Sequence, residues 1–271
     1  MRDKTLNILF IGDVVGKLGR LTVKSLLPKI KEKEKIDLVI ANGENIAHGK
    51  GLTVLTVKEL LDYGVDYLTT GDHCFEQKSN VEECFNKDLP VLRPLNYSDD
   101  APGHGYKLID INNYKILLIN LVGRSFMRYN YNCPFRAIEK TLTDFTNEKI
   151  SAIIVDIHAE TTAEKIALKH FLDGRISALL GTHTHVPTAD ASISPSGTGY
   201  ITDIGMTGYA DGVIGVMSEQ IIESFLNQTS VHHQLPTTGQ SQFNLVKLTI
   251  DPKTKHCLEI KLIQESINIL E

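Results

Sequence analysis

Three observations predict a mixed α/β fold. Short apolar runs alternate with helix-like segments in the first half of the 271-residue chain, hairpin signals accumulate in the second half, and no shift in composition marks a linker. Strand and helix units in alternation are typical of α/β proteins. A chain of this length can bury a sizeable core. We therefore expect a single domain over residues 1–271.

The first half of the chain predicts three buried strands and two helices. Pro28 lies inside the first helical segment and predicts a kink there. Thr53 or Thr56 can cap the second helix, and Gly64 can end it. Proline and glycine over residues 89–105 predict turns. The expected strands cover residues 6–12, 36–41 and 67–71, and the expected helices cover residues 19–33 and 53–63.

The second half adds hairpins to this pattern. Asn112-Asn113 separates two apolar runs, which predicts a hairpin, and Pro195-Ser196-Gly197 predicts another over residues 192–204. Thr161 and Glu164 have the spacing of a capping box at a helix start. The remaining expected strands are 106–110, 115–121, 152–157, 176–181, 243–250 and 257–263, and the remaining helices are 135–145, 162–172 and 218–226.

Composition excludes several classes of protein. The net charge is -5 and no long basic run occurs, which argues against stable binding to nucleic-acid backbones. The cysteines are scattered without a CxxC pair, so free thiols in a reducing compartment are expected. No signal peptide is recognisable, and no apolar run approaches the ~18 residues of a membrane span. We expect a cytoplasmic protein.

Carboxylate, amide and imidazole side chains follow five of the predicted strands. In α/β sheets, ligands bind outside the carboxyl ends of the strands, so these residues can meet although they are distant in sequence. The paired histidines in GTHTH (181–185) are the strongest of these signals, because such a pair rarely arises for packing. The set comprises Asp13, Glu44 with Asn45, Asp72 with His73, His158, and His183 with His185.

This donor set predicts a metal centre. Carboxylates and imidazoles without thiolates suit ions such as Mn, Fe, Zn or Mg. The donors outnumber what one tetrahedral ion can use, and they suit two ions that share a carboxylate. The sequence therefore predicts hydrolytic chemistry with a binuclear site.

The motifs also resemble a known family, in order and over nearly the whole chain. They are GDVVG (12–16), NGEN (42–45), AHGKGLT (47–53), GDH (71–73), DIHAETTAEK (156–165), DGR (173–175), GTHTHVPTAD (181–190) and YITDIGMTG (200–208). This pattern is similar to the YmdB-like metallophosphoesterases, which are bacterial 2',3'-cyclic-nucleotide 2'-phosphodiesterases. The resemblance implies a four-layer sandwich, with two mixed β-sheets flanked by helices.

The resemblance also implies roles for individual residues. It implies hydrolysis of 2',3'-cyclic nucleotides to 3'-nucleotides through a metal-bridging hydroxide, with His73 as the proton donor. Two transition-metal ions are implied, iron first, with manganese or zinc as alternatives. The first ion would be held by Asp13, Glu44, Asn45 and His185, and the second by Glu44, Asp72, His158 and His183.

The chain departs from the family pattern in one ligand. The family normally has asparagine where Asp72 stands, in a GNH motif. The general metallophosphoesterase pattern also has a histidine at the position of Val15, but its absence is normal for this family. A carboxylate binds such ions at least as well as an amide, yet it adds a negative charge, so lower activity or a different preferred metal is expected.

Weaker signals and alternatives remain open at this point. His48 could line a cleft, Asp156 could support His158, and Arg124, Arg128 or Arg175 could meet a phosphate. A phosphomonoesterase or a broader cyclic-nucleotide phosphodiesterase is the alternative enzyme, and a slow-turnover regulatory protein is the alternative outside catalysis. The expected partners are a small cyclic nucleotide and, in an assembly, further copies of the chain, with no membrane.

Overall fold

The computed structural model describes residues 5–77, 81–86, 89–230 and 234–270. Its helices are α1 (Gly16–Lys33), α2 (Val54–Asp62), α3 (Val81–Asn86), α4 (Pro134–Asp144), α5 (Thr162–Leu172) and α6 (Ser218–Asn227). Its strands are β1 (Leu6–Ile11), β2 (Asp13–Val14), β3 (Leu38–Asn42), β4 (Tyr67–Thr69), β5 (Tyr106–Ile111), β6 (Tyr114–Val122), β7 (Ala152–His158), β8 (Ala178–Thr182), β9 (Ser192–Ile193), β10 (Gly199–Ile201), β11 (Met206–Tyr209), β12 (Gly239–Ile250) and β13 (Cys257–Ile269).

The strands form two mixed sheets. The seven-stranded sheet has the order β2-β11-β12-β1-β3-β4, with β13 paired to β12. In it, β1 runs parallel to β3 and antiparallel to β12. The six-stranded sheet has the order β5-β6-β7-β8-β10-β9, with β6, β7, β8 and β10 parallel. Parallel strands in both sheets therefore bring their carboxyl ends to one edge.

Three apolar layers hold the sheets and helices together. Alternate residues of β1 show the arrangement, because Phe10 packs between the two sheets whereas Leu9 faces the layer of α1 and α2. On the far side of the six-stranded sheet, Val155 of β7 packs with Leu168 of α5. The order of layers is helix, sheet, sheet, helix, which confirms the expected four-layer sandwich with two mixed sheets.

Most predicted elements are present, and the differences are local. The helix α1 continues through Pro28 and begins at Gly16, three residues before its predicted start. The short strands β2 and β11 pair with each other and were not predicted, because neither has an alternating apolar pattern. Helix α3 was not predicted either.

One capping prediction is confirmed and one is wrong. The hydroxyl of Thr53 accepts a hydrogen bond from the backbone of Thr56 at the start of α2. At α5, the side chain of Thr161 makes no capping hydrogen bond. Glu164 instead accepts hydrogen bonds from backbone N–H groups of a distant loop, so its local spacing is misleading.

A buried ion pair fixes the turn that follows β8. Lys165 and Asp203 are both fully buried, and the Lys165 ammonium lies 2.9 Å from the Asp203 carboxylate. The ammonium also donates to the Thr182 carbonyl (2.8 Å), and the carboxylate accepts from the backbone N–H of Thr184 (3.0 Å). The pair therefore holds the turn on both sides of His183.

Among the described residues, no helix combines the length and the apolar character that crossing a membrane would require.

Replacing Lys165 by methionine should destabilise the fold. The substitution keeps most of the side-chain volume but leaves the buried charge of Asp203 without its cation, which typically costs about 3–5 kcal/mol. Urea denaturation measures the free energy of unfolding. The control is Lys140→Met, at an exposed position of α4. A Lys165→Met loss no larger than that of the control would contradict a stabilising role for the pair.

Candidate metal centre

Two carboxylates and two imidazoles converge at the shared edge of the sheets. Glu44, Asp72, His158 and His183 each place one potential ligand atom within 4.8 Å of the others. The Nε2 atom of His158 lies 3.0 Å from Glu44 Oε1, 3.4 Å from Asp72 Oδ1 and 2.9 Å from His183 Nδ1. His183 is partly exposed and the other three are buried. We call these four residues the central cluster.

The glycine of the GDH motif makes this convergence possible. A Cβ atom at Gly71 would lie 2.1 Å from His158 Cδ2 and 2.2 Å from Glu44 Oε2. Both distances are too short for any side chain. Gly71 is therefore required by close approach of the cluster, a reason that the sequence alone does not reveal.

The other three predicted ligands border the central cluster without joining it. Asp13 Oδ2 accepts a hydrogen bond from the His183 backbone N–H (3.2 Å), and Asp13 Oδ1 lies 3.7 Å from His158 Nδ1. Asn45 follows Glu44 and donates from its amide to the Gly49 carbonyl (3.0 Å). The imidazole of His185 has its Nδ1 3.1 Å from the Ile214 carbonyl oxygen.

Three buried oxygens in this region lack a hydrogen-bond partner. They are Asp13 Oδ1, Asn45 Oδ1 and Asp72 Oδ1. A buried acceptor left unsatisfied costs about 1–3 kcal/mol, so such groups are usually paired. Cations would satisfy oxygens of this kind, and a donor set of carboxylate, amide and imidazole suits divalent transition metals. The residues therefore fit a metal centre.

The electrostatics of the cluster favour a positive charge at its centre. Burial disfavours the charged form of Glu44, but the attraction of His158 and His73 outweighs burial and holds the pKa of Glu44 well below its usual value. Burial also opposes protonation of His158, yet the carboxylates of Glu44, Asp72 and Asp13 raise its pKa well above the usual value. A bound metal cation would be attracted by the same carboxylates.

The pKa of His183 is shifted in the opposite direction from that of His158. Burial and the neighbouring His158 lower the pKa of His183 to about 4. Its imidazole is therefore neutral at physiological pH, which is the form that binds metals. Its Nε2 lies 3.0 Å from Glu160 Oε2, and its Nδ1 faces the cluster.

A buried hydrogen-bond network orients His158. The Thr182 hydroxyl donates to Asp156 Oδ1 (2.8 Å), so its oxygen can accept from His158 Nδ1 (2.9 Å). Asp156 also accepts from the Thr69 hydroxyl (2.6 Å) and the Asn42 amide (3.1 Å). With Nδ1 as the donor, the Nε2 atom of His158 faces the cluster. Asp156 therefore supports His158 through Thr182.

Backbone strain marks the turn with the paired histidines. His183 has φ 104° and His185 has φ 66°, in the region that favours glycine. Such conformations persist only where the surroundings enforce them, and they cluster at functional sites. The Lys165–Asp203 pair supplies that enforcement at Thr182 and Thr184.

His73 lies at the rim of the cluster. Its Nδ1 is 3.1 Å from Glu44 Oε1, its backbone N–H donates to Glu44 Oε2 (3.2 Å), and its side chain is partly exposed. Burial lowers the pKa of His73, but the hydrogen bond to Glu44 and the nearby carboxylates raise it above the usual value. The imidazole can therefore carry a proton beside the cluster.

The weaker candidates from the sequence are either exposed or paired with another side chain. Arg175 pairs with Glu139 (2.8 Å), and His48 is exposed on a turn. Arg128 pairs with Glu76. Four supporting residues were not predicted, although all of them lie inside motifs that resemble the family. They are Thr182, Glu160, Lys165 and Asp203.

Comparisons with known proteins show the family to which this chain belongs. Residues 9–263 match the family described as YmdB-like protein. A Bacillus subtilis protein named 2',3'-cyclic-nucleotide 2'-phosphodiesterase is 41% identical over 259 residues, which cover 95% of this chain and 96% of that protein.

Two solved structures are similar over nearly their whole length. A novel phosphatase from Mycoplasma pneumoniae superposes with a TM-score of 0.92 at 36% identity, covering 98% of this chain and 95% of that one. A hypothetical protein from Thermus thermophilus has a TM-score of 0.89 at 39% identity, with coverage of 96% and 99%. This chain, with its metallophosphoesterase-type fold, therefore belongs to the YmdB-like family.

Proposed function

We propose that this chain is a metal-dependent phosphodiesterase that hydrolyses 2',3'-cyclic nucleotides to 3'-nucleotides. The observation that carries the proposal is the convergence of Glu44, Asp72, His158 and His183 within 4.8 Å. The name of the Bacillus subtilis relative supports the substrate class. The Mycoplasma pneumoniae phosphatase supports phosphoester chemistry on this fold.

Two metal ions would occupy the centre. Asp13, Glu44, Asn45 and His185 would hold the first, and Glu44, Asp72, His158 and His183 the second. The central cluster supports the second set, and the unpartnered oxygens of Asp13 and Asn45 support the first. Iron is the first candidate, with manganese and zinc as alternatives. When bound, such ions lower the pKa of water and neutralise charge on phosphoryl oxygens.

His73 would act as the general acid. Water forms the new bond to phosphorus, the bond from phosphorus to the 2' oxygen breaks, and the 3' phosphate ester remains. The 2' oxygen leaves with a negative charge unless it is protonated. The Nδ1 atom of His73 is engaged by Glu44, so Nε2 is the atom that would deliver the proton. The raised pKa of His73 supports this role.

Asp72 distinguishes this centre from the pattern implied by its family resemblance. Its carboxylate is 3.4 Å from His158 and 3.6 Å from His183, which supports a role as a metal ligand. It adds negative charge to a centre that already contains Asp13 and Glu44. We propose that it binds the second ion and makes that ion a weaker activator of water.

The setting of the reaction is also part of the proposal. The cysteines are scattered along the chain without a CxxC pair, which supports a reducing compartment and hence the cytoplasm. The partner would be a small cyclic nucleotide, with no stable binding to nucleic acid.

A substrate comparison tests the function. Protein reconstituted with Fe, Mn or Zn should hydrolyse 2',3'-cyclic AMP faster than 3',5'-cyclic AMP or 4-nitrophenyl phosphate, and 3'-AMP should be the product by chromatography. A chelator should abolish turnover. Faster hydrolysis of the phosphomonoester would favour the phosphomonoesterase, and metal-loaded protein without turnover would favour the regulatory alternative.

Replacing Glu44 by alanine should remove both ions together, because one carboxylate would serve both. His185→Ala should mainly reduce the occupancy of one site. Elemental analysis of protein purified without chelators gives the ions per chain. Glu219→Ala, on the exposed side of α6, is the matched control. Two ions retained in Glu44→Ala would show that this carboxylate is not shared.

Replacing His73 by alanine should leave the metal content intact and slow turnover. Loss of a general acid typically costs ~10²–10⁴-fold on a poor leaving group. An activated aryl diester needs little protonation and should lose much less. The control is His170→Ala, at an exposed position of α5. Equal losses on both substrates would mean that His73 positions the substrate instead.

A further inference from the structure

An exposed loop rich in aromatic residues connects β6 to α4. It covers residues 124–131 and contains Phe126, Tyr129 and Tyr131. We call it the aromatic loop. It leaves the carboxyl end of β6, where the Gly123 N–H donates to the carbonyl of His158 (2.9 Å). The loop therefore starts at the edge of the sheet that carries the central cluster.

The start of the aromatic loop is held in place. The Glu164 carboxylate accepts hydrogen bonds from the backbone N–H groups of Arg124 (2.9 Å) and Ser125 (3.2 Å). Gly123 lies so close to the β7–α5 connection that a Cβ there would be 2.6 Å from the Cβ of Ala159. These contacts give Glu164 a tertiary role in place of the expected cap.

The far end of the loop is held by asparagine. Asn96 donates from its amide to the carbonyls of Val122 and Asn132, both at 2.8 Å. The Asn132 N–H donates back to the Asn96 carbonyl (3.0 Å). The chain at both ends of the loop is thus hydrogen-bonded to the side chain of Asn96, which fixes the positions of these ends.

A row of tyrosines connects this loop to the centre. The Tyr97 hydroxyl donates to the carbonyl of Gly71 (3.2 Å), which directly precedes Asp72. The rings of Tyr97 and Tyr131 are 4.8 Å apart, and those of Tyr131 and Tyr129 are 6.0 Å apart at 89°. Tyr131, in the middle of this row, is 7% exposed, and Tyr129, at its outer end, is 52% exposed.

Arg128 completes the support of Tyr129. Its guanidinium lies 5.0 Å from the centre of the Tyr129 ring and pairs with Glu76, three residues after His73. Tyr129 is therefore tied to the Gly71–Glu76 segment by two routes, yet about half of it stays open to solvent. Phe126 is 91% exposed, so far fewer contacts hold its ring in one position.

We infer that Tyr129 stacks against the nucleobase of the substrate, a nucleoside 2',3'-cyclic phosphate, while the phosphate lies at the central cluster. This inference rests on the proposed function and adds its base-binding residue. A tyrosine ring offers a large flat surface at low entropic cost, and every base has a π-face. Tyr129 therefore favours nucleotides over sugar phosphates without selecting a single base.

The test compares a nucleotide with a substrate that lacks the base. Wild type, Tyr129→Ala and Tyr129→Phe are assayed on 2',3'-cyclic AMP and on methyl β-ribofuranoside 2',3'-cyclic phosphate. Stacking by one aromatic side chain corresponds to about 5- to 150-fold. The ratio of kcat/KM for the two substrates should fall by that factor in Tyr129→Ala, through KM, and recover in Tyr129→Phe.

The matched control is Tyr106→Ala. Tyr106 is 40% exposed and meets Phe145 edge to face, so it resembles Tyr129 in exposure and ring contact. It should leave the ratio unchanged. An equal fall on both substrates in Tyr129→Ala, or no fall on either, would overturn the inference.

A binding measurement gives an independent readout. The chain contains no tryptophan, so Tyr129→Trp creates a single reporter. Its fluorescence should be quenched by 3'-AMP, the proposed product, and not by ribose 3-phosphate. Wild type that cleaves the nucleotide and the base-free substrate equally well would refute the role of Tyr129 and leave the proposed function standing. Wild type that cleaves neither would refute the proposed function itself.

Discussion

Concentrated negative charge at the meeting edge of two sheets is the constraint on which this structure depends. Asp13, Glu44 and Asp72 are almost completely withdrawn from water, and all three carboxylates lie within 4 Å of His158. Burying carboxylates is costly unless cations or donors compensate them. The two imidazoles compensate only part of this charge, because His158 favours its charged form whereas His183 favours its neutral form. The remaining negative charge favours the binding of cations at this edge.

The rest of this region divides into a rigid support and an open rim. Thr182 and Asp156 orient one imidazole, and the Lys165–Asp203 pair holds the strained turn of the other. These groups set the chemistry that the centre can perform. The aromatic loop lies outside these groups and is connected to the Gly71–Glu76 segment through Tyr97 and Arg128. On the proposed function, the rigid support would determine the reaction chemistry and the open rim would determine the choice of substrate.

The sequence predicted most of the fold because buried strands have strong apolar periodicity, and it located the central cluster because polar residues end those strands. It failed where tertiary contacts override local pattern. Lysine on a helix normally lies in solvent, so Lys165 gave no sign of its buried partner. Glu164 has the spacing of a capping residue, but its carboxylate accepts a hydrogen bond from the backbone of the aromatic loop. Strand β2 is too short for any periodicity, although it begins with Asp13.

The pairing order of the seven-stranded sheet has a consequence for synthesis. Strand β1 lies beside β12, and β2 lies beside β11, so the start of the chain pairs with its last quarter. The ribosome synthesises β11 and β12 late, and contacts between segments that are distant in sequence form slowly. Asp13 and Glu44 therefore remain exposed to water until GTHTH (181–185) and the strands that follow it have been synthesised. A growing chain has no complete set of proposed ligands, so ions would bind after translation, and the metal bound would depend on what is available to the finished protein.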